Sequence, residues 1–239
     1  MSPIKTIAGI EYLDFISDST SKNKPAVIFF HGQGDNFYVT YLLHSSMLTE
    51  ADWYFPNGLY PASSDQMKSR CWFPEDSRLT QYFNLYQQQV HSTDWNPRGF
   101  ADILNYVLER LEAFVAGALG SPANIILAGF SQGAMFLPHL ASRFKQTLGL
   151  ILLSTNPLSL AKLKVNADKL QNPKLSFLQA HGTDDKVCSL QHARYGFDFL
   201  CDLGYQGEFM TFQGGHEVPT EVCSGISAFI QRITDNRQQ

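Results

Sequence analysis

The string Gly129-Phe130-Ser131-Gln132-Gly133 directly follows the apolar run Asn124-Ile125-Ile126-Leu127-Ala128. A G-x-S-x-G string between a strand and a helix puts its serine on a tight turn, with Oγ raised above the sheet edge. Glycines at 129 and 133 remove side chains that would clash with the adjacent strand and helix. A serine hydroxyl is a weak nucleophile at its own pKa. It needs a neutral imidazole to take its proton, and the imidazole needs a carboxylate to fix its tautomer and stabilise the imidazolium. Both partners follow downstream. His181-Gly182-Thr183-Asp184-Asp185-Lys186-Val187 comes after the apolar run 175–180, and Gly214-Gly215-His216-Glu217-Val218 comes after 208–212. Ser131, Asp185 and His216 therefore stand in the chain order nucleophile, acid, base, with Asp184 a competitor for the acid.

Attack by such a serine leaves negative charge on the acyl oxygen, which needs N–H donors aimed at it. The residue after the serine opens a helix, so the Gln132 N–H is one donor. The second comes from upstream. Ala26-Val27-Ile28-Phe29-Phe30 reads as a buried strand, and in the following His31-Gly32-Gln33-Gly34-Asp35 the glycines let the Gln33 N–H approach the serine. His181 is a weaker alternative base, because it lies four residues from the acid and breaks the triad order. His31 reads as a turn residue, while His44, His91, His139 and His192 lie in no acid, nucleophile or metal pattern. No set of His, Cys, Asp and Glu has metal-ligand spacing, so the expected chemistry uses no metal.

These residues require a scaffold of parallel strands. Segments 4–7 and 11–16 flank Ala8-Gly9-Ile10 and read as a leading hairpin. Strands and helices then alternate, which predicts a mostly parallel sheet covered on both faces. A short strand at 52–55 ends at Pro56. Phe100, Ile103, Leu104, Val107, Leu108, Leu111, Phe114 and Val115 keep a helical rhythm, closed by Gly117 and Gly120. One helix is predicted over 134–144, a buried strand over 148–153, and the last two helices over 189–203 and 219–233. No repeat, linker or low-complexity block divides the 239 residues, so one α/β domain is expected.

Composition narrows the function classes. With 44% hydrophobic and 17% charged residues the chain is a folding sequence and not a disordered one. A net charge of −4 leaves no electrostatic footprint for nucleic acid. Cys71, Cys188, Cys201 and Cys223 form no C-x-x-C pair and read as free thiols of a reducing compartment. With no secretory pattern and no apolar run long enough to span a bilayer, a cytoplasmic protein is expected. Oligomeric state is not legible.

Together the clusters resemble the phospholipase/carboxylesterase family of α/β-hydrolases, which includes acyl-protein thioesterases. The matching strings are Phe30-His31-Gly32-Gln33-Gly34-Asp35, Phe55-Pro56-Asn57, Trp72-Phe73, Gly129-Phe130-Ser131-Gln132-Gly133-Ala134, His181-Gly182-Thr183-Asp184-Asp185 and Gly215-His216-Glu217. The resemblance implies an α/β-hydrolase fold and hydrolysis of an acyl ester or thioester without a cofactor. It makes Asp185, not Asp184, the acid by register, and places Trp72, Phe73 and Val187 at the substrate pocket. The chain departs from the family pattern at Gln33, where Leu is common, at Cys188, where Pro is common, and in a longer stretch at 73–97. That stretch, carrying Tyr82, Phe83, Leu85 and Tyr86, is expected to form a lid over the serine. Two rivals use the same residues: acyl transfer to an acceptor other than water, and an idle ligand-binding protein on a hydrolase scaffold.

Overall fold

The computed structural model describes residues 2–19, 24–47, 49–62, 68–75, 100–120, 124–156, 158, 163–164 and 175–236. The strands are β1 (Lys5–Ile7), β2 (Ile10–Phe15), β3 (Ala26–Phe30), β4 (Asp52–Pro56), β5 (Tyr60–Pro61), β6 (Arg70–Cys71), β7 (Ile125–Phe130), β8 (Thr147–Leu153), β9 (Ser176–Gly182) and β10 (Gln206–Phe212). The helices are α1 (Phe37–His44), α2 (Phe100–Leu119), α3 (Gln132–Met135), α4 (Leu137–Ala141), α5 (Leu190–Asp202) and α6 (Thr220–Asp235). Eight strands form one sheet in the order β1-β2-β4-β3-β7-β8-β9-β10. Within it the pairs β1/β2 and β2/β4 are antiparallel and the other five are parallel, while β5 and β6 form a separate antiparallel pair.

The central strands read as unbroken apolar runs because both faces are covered. Their side chains alternate between two cores. Ile28, Phe30, Ile125, Leu127, Leu150 and Leu152 face α2, α4 and α5. Val27, Phe29, Ile126, Ala128, Ile151 and Leu153 face α1 and α6. Helices therefore cover both faces, as the alternating sequence pattern requires. The chain passes from β3 to β4 on one side of the sheet and returns to β7 on the other. This reversal opens a crevice at the carboxyl ends of β3 and β7, where α/β sheets bind ligands.

Two local expectations need correction, and one helix was not expected. The stretch 134–144 is not one helix but α3 and α4, broken at Phe136 (φ −98°, ψ −4°). Pro138 is the cause: it has no N–H to give, and its ring would clash with the Ala134 carbonyl in a continuous helix. Gly117 does not end α2. It lies inside the helix against Ile7, where a Cβ would come within 2.5 Å of Ile7 Cγ2. The helix stops one residue before Gly120, whose φ of +66° suits glycine. Helix α1 was not anticipated. Asn36 caps it by accepting from the Tyr38 N–H at 3.0 Å, but its aromatic and β-branched residues mask the helical period.

Candidate active site

Ser131 sits between β7 and α3 at φ 51°, ψ −123°, a left-handed conformation that costs a non-glycine residue about 1–3 kcal/mol. Neighbouring contacts hold it there. The Ser131 N–H donates to Leu153 O at 2.9 Å, and its carbonyl accepts from Ala134 N–H and from Thr155 Oγ1 at 3.0 Å each. The flanking glycines are sterically required. A Cβ on Gly129 would lie 2.5 Å from Gly133 O, and one on Gly133 would lie 2.4 Å from His31 O. The elbow is thus wedged against both β3 and its own helix.

His216 Nε2 lies 2.9 Å from Ser131 Oγ, and His216 Nδ1 lies 2.8 Å from Asp185 Oδ2. With Nδ1–H donating to the carboxylate, Nε2 is left as the acceptor of the serine proton. The Asp185 side chain is fully buried, and its Oδ1 accepts the N–H groups of Val187 and Cys188 at 2.8 Å each. Burial on its own would raise this carboxyl. The hydrogen bonds from His216, Cys188 and Val187 outweigh it and hold the group below its ordinary value. His181 stands behind the acid, its Nε2 at 3.4 Å from Asp185 Oδ2 and 2.8 Å from Cys188 O. Asp184 points elsewhere: its carboxylate accepts from Gln213 Nε2 on the surface. The Phe130 ring packs against His216 with centroids 4.8 Å apart.

The loop after β3 is anchored at its base by His31. This buried imidazole bonds Gly32 O through Nδ1 at 2.7 Å and accepts the Gly58 N–H at Nε2 at 2.9 Å. Burial lowers its pKa to about 4, so the ring is neutral. At the loop tip, Gln33 is exposed and Gln132 is buried. Their side chains join: Gln132 Nε2 donates to Gln33 Oε1 at 3.0 Å, and Gln33 Nε2 donates to Glu75 Oε1 at 3.3 Å. Gln132 Oε1 in turn accepts the Trp72 N–H at 2.7 Å. The sequence points to the main-chain N–H groups of both glutamines and to a more polar pocket mouth at Gln33. The coupling of their side chains was unforeseen, although a polar residue at position 33 was its signal.

Trp72 and Phe73 do not form an open pocket wall. Both are buried in the core, at 0% and 1% exposure, against Phe136. The Trp72 indole Nε1 donates to His31 O at 2.8 Å and so supports the loop from beneath. Val187 is 48% exposed, two residues after Asp185 on the acid loop. Beyond Glu75, the lid expected over 73–97 lies outside the described residues. A groove of about 580 Å³ opens beside His216, lined by Val39, Leu42 and Leu43 of α1 and by Phe130 and Val218. Among the described residues no group of three or more His, Cys, Asp or Glu could hold a metal ion. None of their helices is long and apolar enough to cross a membrane.

Strand order, helix placement and the serine elbow define an α/β-hydrolase. The phospholipase/carboxylesterase family profile matches residues 13–234, and the chain belongs to that family. It is 36% identical over 111 residues to acyl-protein thioesterase 1 homolog 1 of Dictyostelium discoideum, a match covering 46% of this chain and 48% of that protein. The chain thus spans about half the length of that relative. It is 22% identical over 216 residues to the carboxylesterase SOBER1 of Arabidopsis thaliana, covering 86% of this chain and 89% of that one. Among solved structures, esterase PE8 superposes with a TM-score of 0.74 at 22% identity, covering 94% and 99% of the two chains. Zea mays acyl-protein thioesterase 2 gives 0.72 at 18% identity, covering 93% and 98%.

Proposed function

We propose that the chain acts as a single-domain serine hydrolase, cleaving carboxylic esters or thioesters through an acyl-enzyme on Ser131. One observation carries this reading: the continuous line Asp185–His216–Ser131, with contacts of 2.8 and 2.9 Å, ending on a strained serine. His216 takes the Ser131 proton as Oγ attacks the acyl carbonyl. Asp185 holds the ring and stabilises the imidazolium. The N–H groups of Gln33 and Gln132, two residues whose side chains are joined, bind the oxyanion. The alcohol or thiol leaves with the proton from His216. Water then repeats the sequence on the acyl-enzyme. Val187 forms a lip of the site, and the chemistry requires no cofactor. Four free thiols, three of them buried, support a reducing, cytoplasmic setting.

A panel of p-nitrophenyl esters and acyl thioesters of graded chain length tests the reading. A pre-steady-state burst of p-nitrophenol equal to the enzyme concentration, absent in Ser131→Ala, is the expected result. Turnover that survives in Ser131→Ala would overturn it.

A further inference from the structure

We infer that the groove between α1 and the His216 loop receives the leaving group, and that it selects uncharged or cationic alcohols and thiols over anionic ones. The inference rests on the acyl-enzyme reading above and names the substrate class for that site.

Position comes first. When the tetrahedral intermediate collapses, the carbon–oxygen or carbon–sulfur bond breaks and its electron pair goes to the departing atom. That atom takes the proton from His216 Nε2, leaving acyl-Ser131 and a free alcohol or thiol. The departing atom must lie within about 3 Å of Nε2 to receive it, so the body attached to it starts at His216. His216 itself lines the groove, as do Phe130 beneath its ring and Gly32 of the loop bearing Gln33.

Shape comes next. A volume of about 580 Å³ suits a small organic group. Val39, Leu42 and Leu43 project as one stripe of α1, because residues three and four apart share a helix face. Val39 and Leu42 are 45% and 61% exposed, so the stripe is open to an apolar body.

Charge sets the selection. Among the described residues, the ionisable side chains lining the groove apart from the His216 ring are the carboxylates Asp35 and Glu217, with no lysine or arginine. Asp35 is half-buried, and burial holds its carboxyl above the ordinary carboxylate value, only partly offset by the Gly32 hydrogen bond and nearby His216. Glu217 is exposed at the rim, its Oε1 accepting the Gly215 N–H at 3.2 Å. A phosphate or carboxylate on the leaving group would lose water beside these like charges with no cation to replace it. A lysolipid phosphodiester or a nucleotide-bearing thiol therefore fits poorly. A neutral or ammonium-bearing leaving group fits well.

The test uses acetate esters of three aryl alcohols matched in acidity: one uncharged, one bearing trimethylammonium, one bearing sulfonate. All three give the same acetyl-enzyme, so differences in kcat/KM report acylation alone. Wild type is expected to favour the uncharged and cationic esters over the sulfonate by about tenfold or more, and Glu217→Gln to shrink that ratio about threefold. Val39→Trp, which fills the groove, should lower kcat/KM for 2-naphthyl acetate relative to methyl acetate by about tenfold. Equal rates for the three charges, or unchanged ratios in both variants, would overturn the inference. So would light scattering that shows a wild-type dimer becoming monomeric in Val39→Trp with flat ratios, since the groove would then hold a second copy. Fluorophosphonate labelling of Ser131 run in parallel separates the two readings. Flat ratios with intact labelling remove the groove alone, whereas loss of labelling removes the acyl-enzyme.

Discussion

In the proposed mechanism the loop after β9 is the acid loop and the loop after β3 the oxyanion loop, but Asp185 and Gln33 are held by different means. The acid loop is fixed by its backbone. Thr183 N–H donates to Phe212 O and Asp184 N–H to Gly214 O, each at 2.9 Å, and Asp185 is clamped by two further backbone N–H groups. A Cβ on Gly182 would lie 2.3 Å from Gly215 O, so the acid and base loops press together. The loop after β3 is bound by its backbone on either side of its tip, where Gly34 N–H donates to Arg70 O at 3.0 Å and Arg70 N–H donates to Asp35 O at 2.7 Å. Its tip, Gln33, is tied through side-chain amides to Gln132 and Glu75. Backbone anchoring makes the acid a fixed part of the scaffold. Side-chain ties at Gln33 leave the tip, and not the whole loop, adjustable by single substitutions.

The largest expected effect lies on the acid loop. Asp185→Asn removes the orienter of His216 and should lower kcat by about 10⁴, while Asp184→Asn, whose partner is the surface Gln213, should stay within a few-fold. Steady-state kinetics of both variants decide the register. If Asp184→Asn is the crippled one, the acid assignment fails.

At the base of the oxyanion loop, protonation of His31 would destroy the acceptor for Gly58 N–H. Its folded pKa of about 4 lies below the unfolded value of about 6.5. The unfolded chain therefore takes up the proton first as pH falls. The His31 contribution is complete above pH about 6.5 and is lost progressively down to about 4, amounting to about 3 kcal/mol. His44 and His181, whose pKa values burial also lowers, act in the same direction. Urea midpoints across this range should fall with pH, less steeply in His31→Leu. An identical slope in the variant would remove His31 from the account.

The smallest effects belong to the tip. Gln132→Leu leaves the buried Trp72 N–H without its acceptor and should cost about 1–3 kcal/mol of stability. Gln33→Leu, at an exposed position, should cost less than about 1 kcal/mol, keep turnover on short activated esters and shift preference toward longer acyl chains. Equal destabilisation by the two would contradict the division between buried anchor and exposed tip.

The contrast between the loops also marks how far the residues could be read. The strand runs and the serine elbow were legible, because burial on both faces leaves continuous apolar segments and a strained turn needs glycine on either side. Ser131 and His216 were singled out by type and order, and Asp185 over Asp184 only by register with the family pattern, although their meeting depends on long-range packing. The break at Phe136 was written in Pro138 and overlooked beneath a helical rhythm. Helix α1 was hidden, because Tyr38, Val39, Thr40 and Tyr41 favour strands and only the Asn36 cap points to a helix. The burial of Trp72 and the Gln33–Gln132 bond follow from which loops meet over the sheet, and no local pattern records that.

The central claim is a covalent acyl-enzyme on Ser131, and peptide mapping after fluorophosphonate labelling addresses it most directly. The account predicts one adduct per chain, on the peptide containing Ser131, abolished in Ser131→Ala and much slowed in His216→Ala. An adduct on any other residue, or labelling that persists in Ser131→Ala, would contradict it.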